Sequence, residues 1–218
     1  MKRSLVIAAC VAVVFATARS SSAATITSTA DDFSISWSFA GCGGTCTGDA
    51  SFDVTSFDAT TLVMDVSVNN TLVAAGEFLE ALGWDMDPKA TSATLTTPGA
   101  NLDVVRLNEV FPSFNTLNVC VTNNTQGSCG AGQPTGIPSS GSDSFTLSLT
   151  GDFSGGSATL DTFALKYSGE LGSFEGGGEE TGGGGPAGGV GSPVPEPTSI
   201  LLLGSGLVAA ALRMRRRK

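Results

Sequence analysis

An all-β domain, an antiparallel β-sandwich of the jelly-roll kind, is the fold the sequence predicts, and three observations predict it. Apolar residues recur at period two, the mark of half-buried strands. Turn signals such as Asn123-Asn124, Gly141 and Gly151 separate those runs. Helical periodicity is weak throughout the body.

The strand runs follow in chain order. Phe33, Ile35, Trp37 and Phe39 alternate with Ser34, Ser36 and Ser38. Leu62, Met64, Val66 and Val68 alternate with Asp65, Ser67 and Asn69 on the other face. Leu82, Trp84 and Met86 form a third run, and Leu117, Val119 and Val121 a fourth. Phe145, Leu147 and Leu149 come next, then Phe163, Leu165 and Tyr167. Threonine and serine fill the polar positions, and threonine favours the pleated sheet. Short, regularly spaced strands suit a sandwich. Two stretches are ambiguous. Phe78, Leu79 and Leu82 have helical spacing, so residues 74–82 read as a loop or short helix leading into the Trp84 strand. Residues 104–111 carry no clear period. Trp37, Trp84 and Tyr167 could stack on sugar rings if exposed, but all three fall in phase with apolar neighbours and read as core.

Charge is distributed unevenly over the 218 residues. Lys2, Arg3 and Arg19 lie near the start, and Arg213, Arg215, Arg216, Arg217 and Lys218 close the chain. Between them only Lys89, Arg106 and Lys166 face all 20 acidic residues. A body so acidic does not hold a phosphate backbone, which excludes nucleic acid as a partner. The chain has no histidine, so triads and acid/base mechanisms built on imidazole are excluded too.

Both ends read as addresses. Lys2 and Arg3 precede an apolar stretch over residues 5–18, and small residues Ser20 to Ala24 follow. That is the pattern of a secretory signal over residues 1–24, cut after Ala23 or Ala24. The expected body is 25–171. Residues 172–193 read as a flexible linker, because 11 of the 20 residues from 172 to 191 are glycine. Residues 194–218 form a tail. In it Val194, Pro195, Glu196 and Pro197 precede an uncharged, mostly apolar span over 200–212, expected to be a transmembrane helix, and then the basic cluster. As a helix that span reaches about 20 Å, less than a bilayer core of about 30 Å. It needs its flanks and snorkelling arginines to cross. The positive-inside rule leaves the basic end cytoplasmic and the body outside the inner membrane.

The tail resembles a PEP-CTERM sorting signal, with Pro195, Glu196 and Pro197 as motif, the apolar span behind it, and Arg213, Arg215, Arg216, Arg217 and Lys218 as basic stop. The resemblance covers about 25 residues. It implies a Gram-negative bacterium that makes extracellular polysaccharide, and an exosortase that recognises and cuts the tail. It also implies a mature protein at the cell surface or in the biofilm matrix.

Cys10 falls in the signal segment. The remaining Cys42, Cys46, Cys120 and Cys129 are an even number in an exported chain and read as two disulfides. Three connectivities are open, and the turn-rich segments favour Cys42–Cys46 and Cys120–Cys129. Their spacing does not match a zinc ribbon. With no histidine, two carboxylate chemistries remain. Calcium is one, with Asp31-Asp32 and Asp85-x-Asp87 as candidate oxygen ligands, weighed against a solvated acidic face. A paired-carboxylate glycosidase is the other, and the sequence does not single out a pair. Nucleophile-elbow, P-loop and dinucleotide motifs are missing from the body. The expectation is therefore a non-enzymatic surface or matrix protein without catalytic, cofactor or metal residues, in which calcium would be the one ion to consider. A carbohydrate-binding or adhesive module is the alternative, and a glycan-active enzyme a more distant one.

Overall fold

A computed structural model describes residues 23–123, 129 and 135–183. Among them every regular element is a strand: β1 (Ala23–Ile26), β2 (Phe33–Gly41), β3 (Gly44–Phe57), β4 (Thr61–Asn69), β5 (Glu77–Asp87), β6 (Ser92–Thr97), β7 (Val104–Phe111), β8 (Asn115–Thr122), β9 (Ile137–Pro138), β10 (Ser142–Thr150), β11 (Ala158–Gly169) and β12 (Gly172–Gly183). Residues 1–22 of the signal segment and the sorting tail, with the transmembrane helix expected there, lie outside the described residues. Among the described residues no helix is long and apolar enough to cross a membrane.

The strands pair antiparallel in the order β6-β10-β4-β3-β2-β12-β11-β5-β8-β7, with β1 beside β11 and β9 beside β5. This refines the sandwich expectation. The two halves are joined through β12 into one sheet that curls into a nearly closed barrel. β6 and β7, the two ends of the order, approach each other without a ladder between them.

Alternation explains the core. Phe33, Ile35, Trp37, Phe52, Met64 and Val66 point inward from the β2–β3–β4 half, and Leu82, Trp84, Phe163 and Leu165 from the β5–β11 half. The halves meet through aromatic rings. Phe52 packs edge-on against Trp84 at 5.6 Å, and Phe163 lies 5.8 Å from both Phe33 and Phe52. Each such side chain contributes about 1.5–3 kcal/mol by leaving water. Trp37, Trp84 and Tyr167 are all buried, as their phase predicts. A smaller apolar cluster of Ala81, Phe111, Leu117, Cys120, Cys129 and Ala164 packs separately from this core.

Residues 77–82 are strand, where a short helix was an option. Leu79 and Leu82 are three apart, yet both reach the core, because the β5–β11 register shifts there. Leu79 stands opposite Tyr167 and Ala81 opposite Lys166. The extra residue of this β-bulge imitates helical spacing. Residues 104–111 are also strand, as β7.

The linker expectation fails for residues 172–183. This segment is β12, hydrogen-bonded to β11 through residues 172–177 and to β2 through residues 178–183. Glycine is needed there for close packing. A Cβ on Gly176 would overlap the Phe39 ring, and one on Gly178 would come within 2.5 Å of the Trp37 indole. The strands at the other end reach Ala23, so the folded unit spans more than the expected 25–171 in both directions.

Candidate functional site

The cysteines come together in the two local pairs. Cys42 and Cys46 are bonded with Cα atoms 5.3 Å apart, and Cys120 and Cys129 with Cα atoms 5.9 Å apart. Cys42 and Gly43 form the two-residue β2–β3 turn with φ of 54° and 74°. Positive φ at both positions matches the twist of a tight hairpin. The disulfide ties this turn to the first residues of β3. The second bond ties Cys129 to the middle of β8, inside the small cluster.

Of the candidate calcium ligands, Asp31 and Asp32 accept hydrogen bonds from backbone N–H groups. Asp31 Oδ2 accepts hydrogen bonds from Thr27 N at 2.6 Å and Ser28 N at 2.8 Å, closing the turn between β1 and β2. These donors, Thr27 N–H foremost, hold the Asp31 carboxyl below its usual range despite opposing desolvation. Asp32 Oδ1 accepts from Val54 N at 2.8 Å. Asp85 lies 3.2 Å from Lys89 Nζ, and the register sets it opposite Asp161. Asp87 stands opposite Thr159. Among the described residues no group of three or more His, Cys, Asp or Glu side chains is arranged to hold a metal ion.

Other carboxylates cap loops as well. Asp143 accepts from Ala100, Asn101 and Leu102 N at 2.7–2.9 Å and so shapes the loop between β6 and β7. Asp58 and Asp152 close turns, and both are held below the ordinary aspartate range, by Thr60 N–H and by the Ser154 hydroxyl respectively. Partial desolvation raises Glu180 above the ordinary glutamate value, and the register sets it opposite Ile35. A shallow groove of about 320 Å³ runs past Phe78, Asn101, Asp103 and Asn123, wide open to solvent.

Register reveals an arrangement that linear reading missed. On the outer face Ser34 pairs with Ser51, Ser51 with Ser67, and Ser67 with Ser144. Four adjacent strands thus set four serines in one row. The row on one side holds Asp53, Asp65, Thr146 and Thr97. The row on the other holds Ser36, Asp49, Asn69 and Ser142. The polar phases of β2 and β4 were readable, but β3 and the alignment of each strand with the next were not.

The remaining sequence candidates, Pro195, Glu196, Pro197, Arg213, Arg215, Arg216, Arg217 and Lys218, lie outside the described residues. Residues 193–217 match the family model of the PEP-CTERM protein-sorting motif. The tail is a PEP-CTERM sorting motif. It supports an exported protein, held by its C-terminal tail in the membrane before processing, with an exosortase as the processing partner. No curated protein and no solved structure matches the chain.

Proposed function

We propose that the protein is a non-enzymatic module of the cell surface or the extracellular polysaccharide matrix. In this reading the signal exports it, the tail holds it at the inner membrane, and an exosortase releases it outward. The observation that carries the reading is the sorting motif at residues 193–217, placed after a β-domain whose last described strand ends at Gly183. Only the residues from 184 to 194 separate that strand from the Pro-Glu-Pro motif. At full extension those 11 residues span about 40 Å at most, so the enzyme would work close to the folded domain.

Several features support a structural role. Asp31, Asp58 and Asp152 accept from backbone N–H groups of their own turns, and Asp143, in β10, from those of the β6–β7 loop. Apolar side chains of high exposure are few among the described residues, Val73, Val110 and Leu171. A body this acidic is repelled by an anionic polymer, so residence in a matrix would rest on hydrogen bonding, cation bridging or entanglement. At the N-terminus, Ala24 is buried in β1 and pairs with Leu160, which favours cleavage after Ala23 over cleavage after Ala24.

Intact mass and fractionation of the protein from its native host test the reading. The expected species lacks the signal and the tail beyond the motif, carries two disulfides, and sits in the surface or medium fraction. A full-length tail retained in the inner membrane would overturn it.

A further inference from the structure

We propose that signal cleavage after Ala23 creates an ion pair that the precursor lacks, between the freed α-ammonium of Ala24 and the Asp161 carboxylate, an inference that rests on the export reading. Ala23 stands opposite Asp161, and Ala24 opposite Leu160. Residues directly opposed in an antiparallel pair share a face. Ala24 and Leu160 are buried, whereas Ala23 is exposed and Asp161 half-buried, so Ala23 and Asp161 lie on the outer face. Opposed Cα atoms are about 4.5–5.5 Å apart. The Ala24 nitrogen follows Ala23 directly in the backbone. A charge on it therefore stands about 4–6 Å from the Asp161 carboxylate, the range in which an opposite charge shifts a titration. Cleavage after Ala24 would instead charge Thr25, opposite Thr159, and remove a buried residue.

The surroundings favour a positive charge at this place. On β5, Asp85 stands opposite Asp161, and like charges so placed repel. The body's three basic side chains pair elsewhere, Lys89 with Asp85, Arg106 with Glu109 and Lys166 with Glu175. The outer row Ala23–Asp161–Asp85, counted with Lys89, thus carries a net negative charge before the cut, and the new ammonium neutralises it. Asp161 Oδ1 accepts from the Thr162 hydroxyl at 2.9 Å, which orients the carboxylate. Further along β5, Asp87 stands opposite Thr159. The loop after β1 carries Asp31 and Asp32, and β12, which also packs against β1, carries Glu175, Glu179 and Glu180.

An α-amine ordinarily titrates near about 7.7–8.0. Paired with Asp161 its folded value is raised. The stabilisation is then complete below the ordinary value and lost as pH climbs through the raised one. β1 should be held firmly at neutral pH and loosen in alkali.

The test uses the exported protein purified from its native host, as wild type, D161N, the charge-keeping D161E, and D103N at the other end of the barrel. N-terminal sequencing establishes the first residue. The α-amine is titrated through the pH dependence of its labelling, located by peptide mass, and β1 is followed by amide hydrogen exchange. Expected are a chain beginning at Ala24 and an α-amine titrating about one unit higher in wild type than in D161N. D161E and D103N should titrate like wild type, and D161N should lose protection in β1. An ordinary α-amine value in wild type, or equal values in wild type and D161N, overturns the proposal. So does a D161N that melts earlier with an unmoved α-amine, since Asp161 would then act through the fold alone. If D161N does not fold, acetylating the wild-type α-amine removes the same charge, and unchanged β1 protection at neutral pH overturns the pair. Sequencing and fractionation judge the export reading separately: an exported chain that begins at Ala24 with an ordinary α-amine sinks this inference alone.

Discussion

Lys166 and Glu175 stand opposite each other where β11 meets β12, with Nζ and Oε1 3.5 Å apart and each side chain only 7% exposed. Ser113 N donates to the other Glu175 oxygen at 2.7 Å, which fastens the β7–β8 turn to the same carboxylate. Removing one charge from a nearly buried pair costs more than the pair itself contributes, because the remaining ion keeps its desolvation cost. Glu175→Gln should therefore destabilise the domain by about 3 kcal/mol. The double change Lys166→Met with Glu175→Leu should recover most of that loss. Urea unfolding of the three proteins checks both statements, and a double variant no better than the single one would show that the charges themselves are needed.

β12 makes a second prediction. It lies between β11 and β2, so a chain ending at residue 171 leaves two strands with unpaired edges in mid-sheet. That chain should fail to fold, whereas one ending at residue 183 should fold. Gly176→Val should destabilise by about 1–3 kcal/mol or more, since the added atoms meet Phe39. Circular dichroism and limited proteolysis distinguish the cases. A stable fold ending at residue 171 would return this segment to the role of a linker.

β12 also shows where sequence reading reaches its limit. Period-two alternation identified the strands carrying Trp37, Met64, Trp84, Val119, Leu147 and Leu165, because one buried face leaves a linear trace. A glycine-rich strand leaves none. Its inward positions are empty so that Phe39 and Trp37 can fill them, and in one dimension that emptiness looks like a flexible coil. The Leu79–Leu82 spacing misled for a related reason, since one bulge residue shifts the phase toward that of a helix. Pairing partners are non-local, so the serine row and the Lys166–Glu175 contact became visible only with register. The tail was legible because its motif, span and basic stop are local chemistry.

The two disulfides should differ little in what they contribute. Both close short loops, with sequence separations of 4 and 9, and loop entropy assigns each about 2–3 kcal/mol. Cys46→Ser should also loosen the β2–β3 turn, where Cys42 holds a positive φ. Cys129→Ser should act on the small cluster around Phe111 and Leu117. Melting temperatures with and without reductant measure the sum, and the single variants its parts.

Stability should fall in acid through the turn-capping aspartates. Asp31, Asp58 and Asp152 all titrate below the ordinary aspartate value of about 3.9 when folded. A depressed folded value means the unfolded chain binds the proton more tightly. Their stabilisation is thus complete above the ordinary value and lost as pH drops through the depressed ones. Glu180 acts in the opposite sense, since burial raises it and its charge costs stability at neutral pH. Melting temperature measured from pH 7 down to pH 2 should decline most steeply below about pH 4. Asp31→Asn should lower stability at neutral pH and flatten that decline. An unchanged slope would mean that Asp31 keeps its ordinary value in the folded protein.

Replacing Pro195, Glu196 and Pro197 together with alanine separates sorting from folding. The motif lies beyond the last described strand, which ends at Gly183, so the substitutions touch none of the described strand pairings. Recognition by the processing enzyme should be lost, while the apolar span and its basic stop still hold the chain in the membrane. The expected result is a full-length tail in the inner-membrane fraction, with a melting temperature equal to that of wild type. Replacing Arg213, Arg215, Arg216 and Arg217 with glutamine tests the other half of the signal. With only Lys218 left of the positive stop the span loses most of its orienting charge, and the tail should be retained less firmly rather than left uncut. Normal release of the alanine variant would show that the enzyme reads the span and the basic stop, and the Pro-Glu-Pro motif would lose its role.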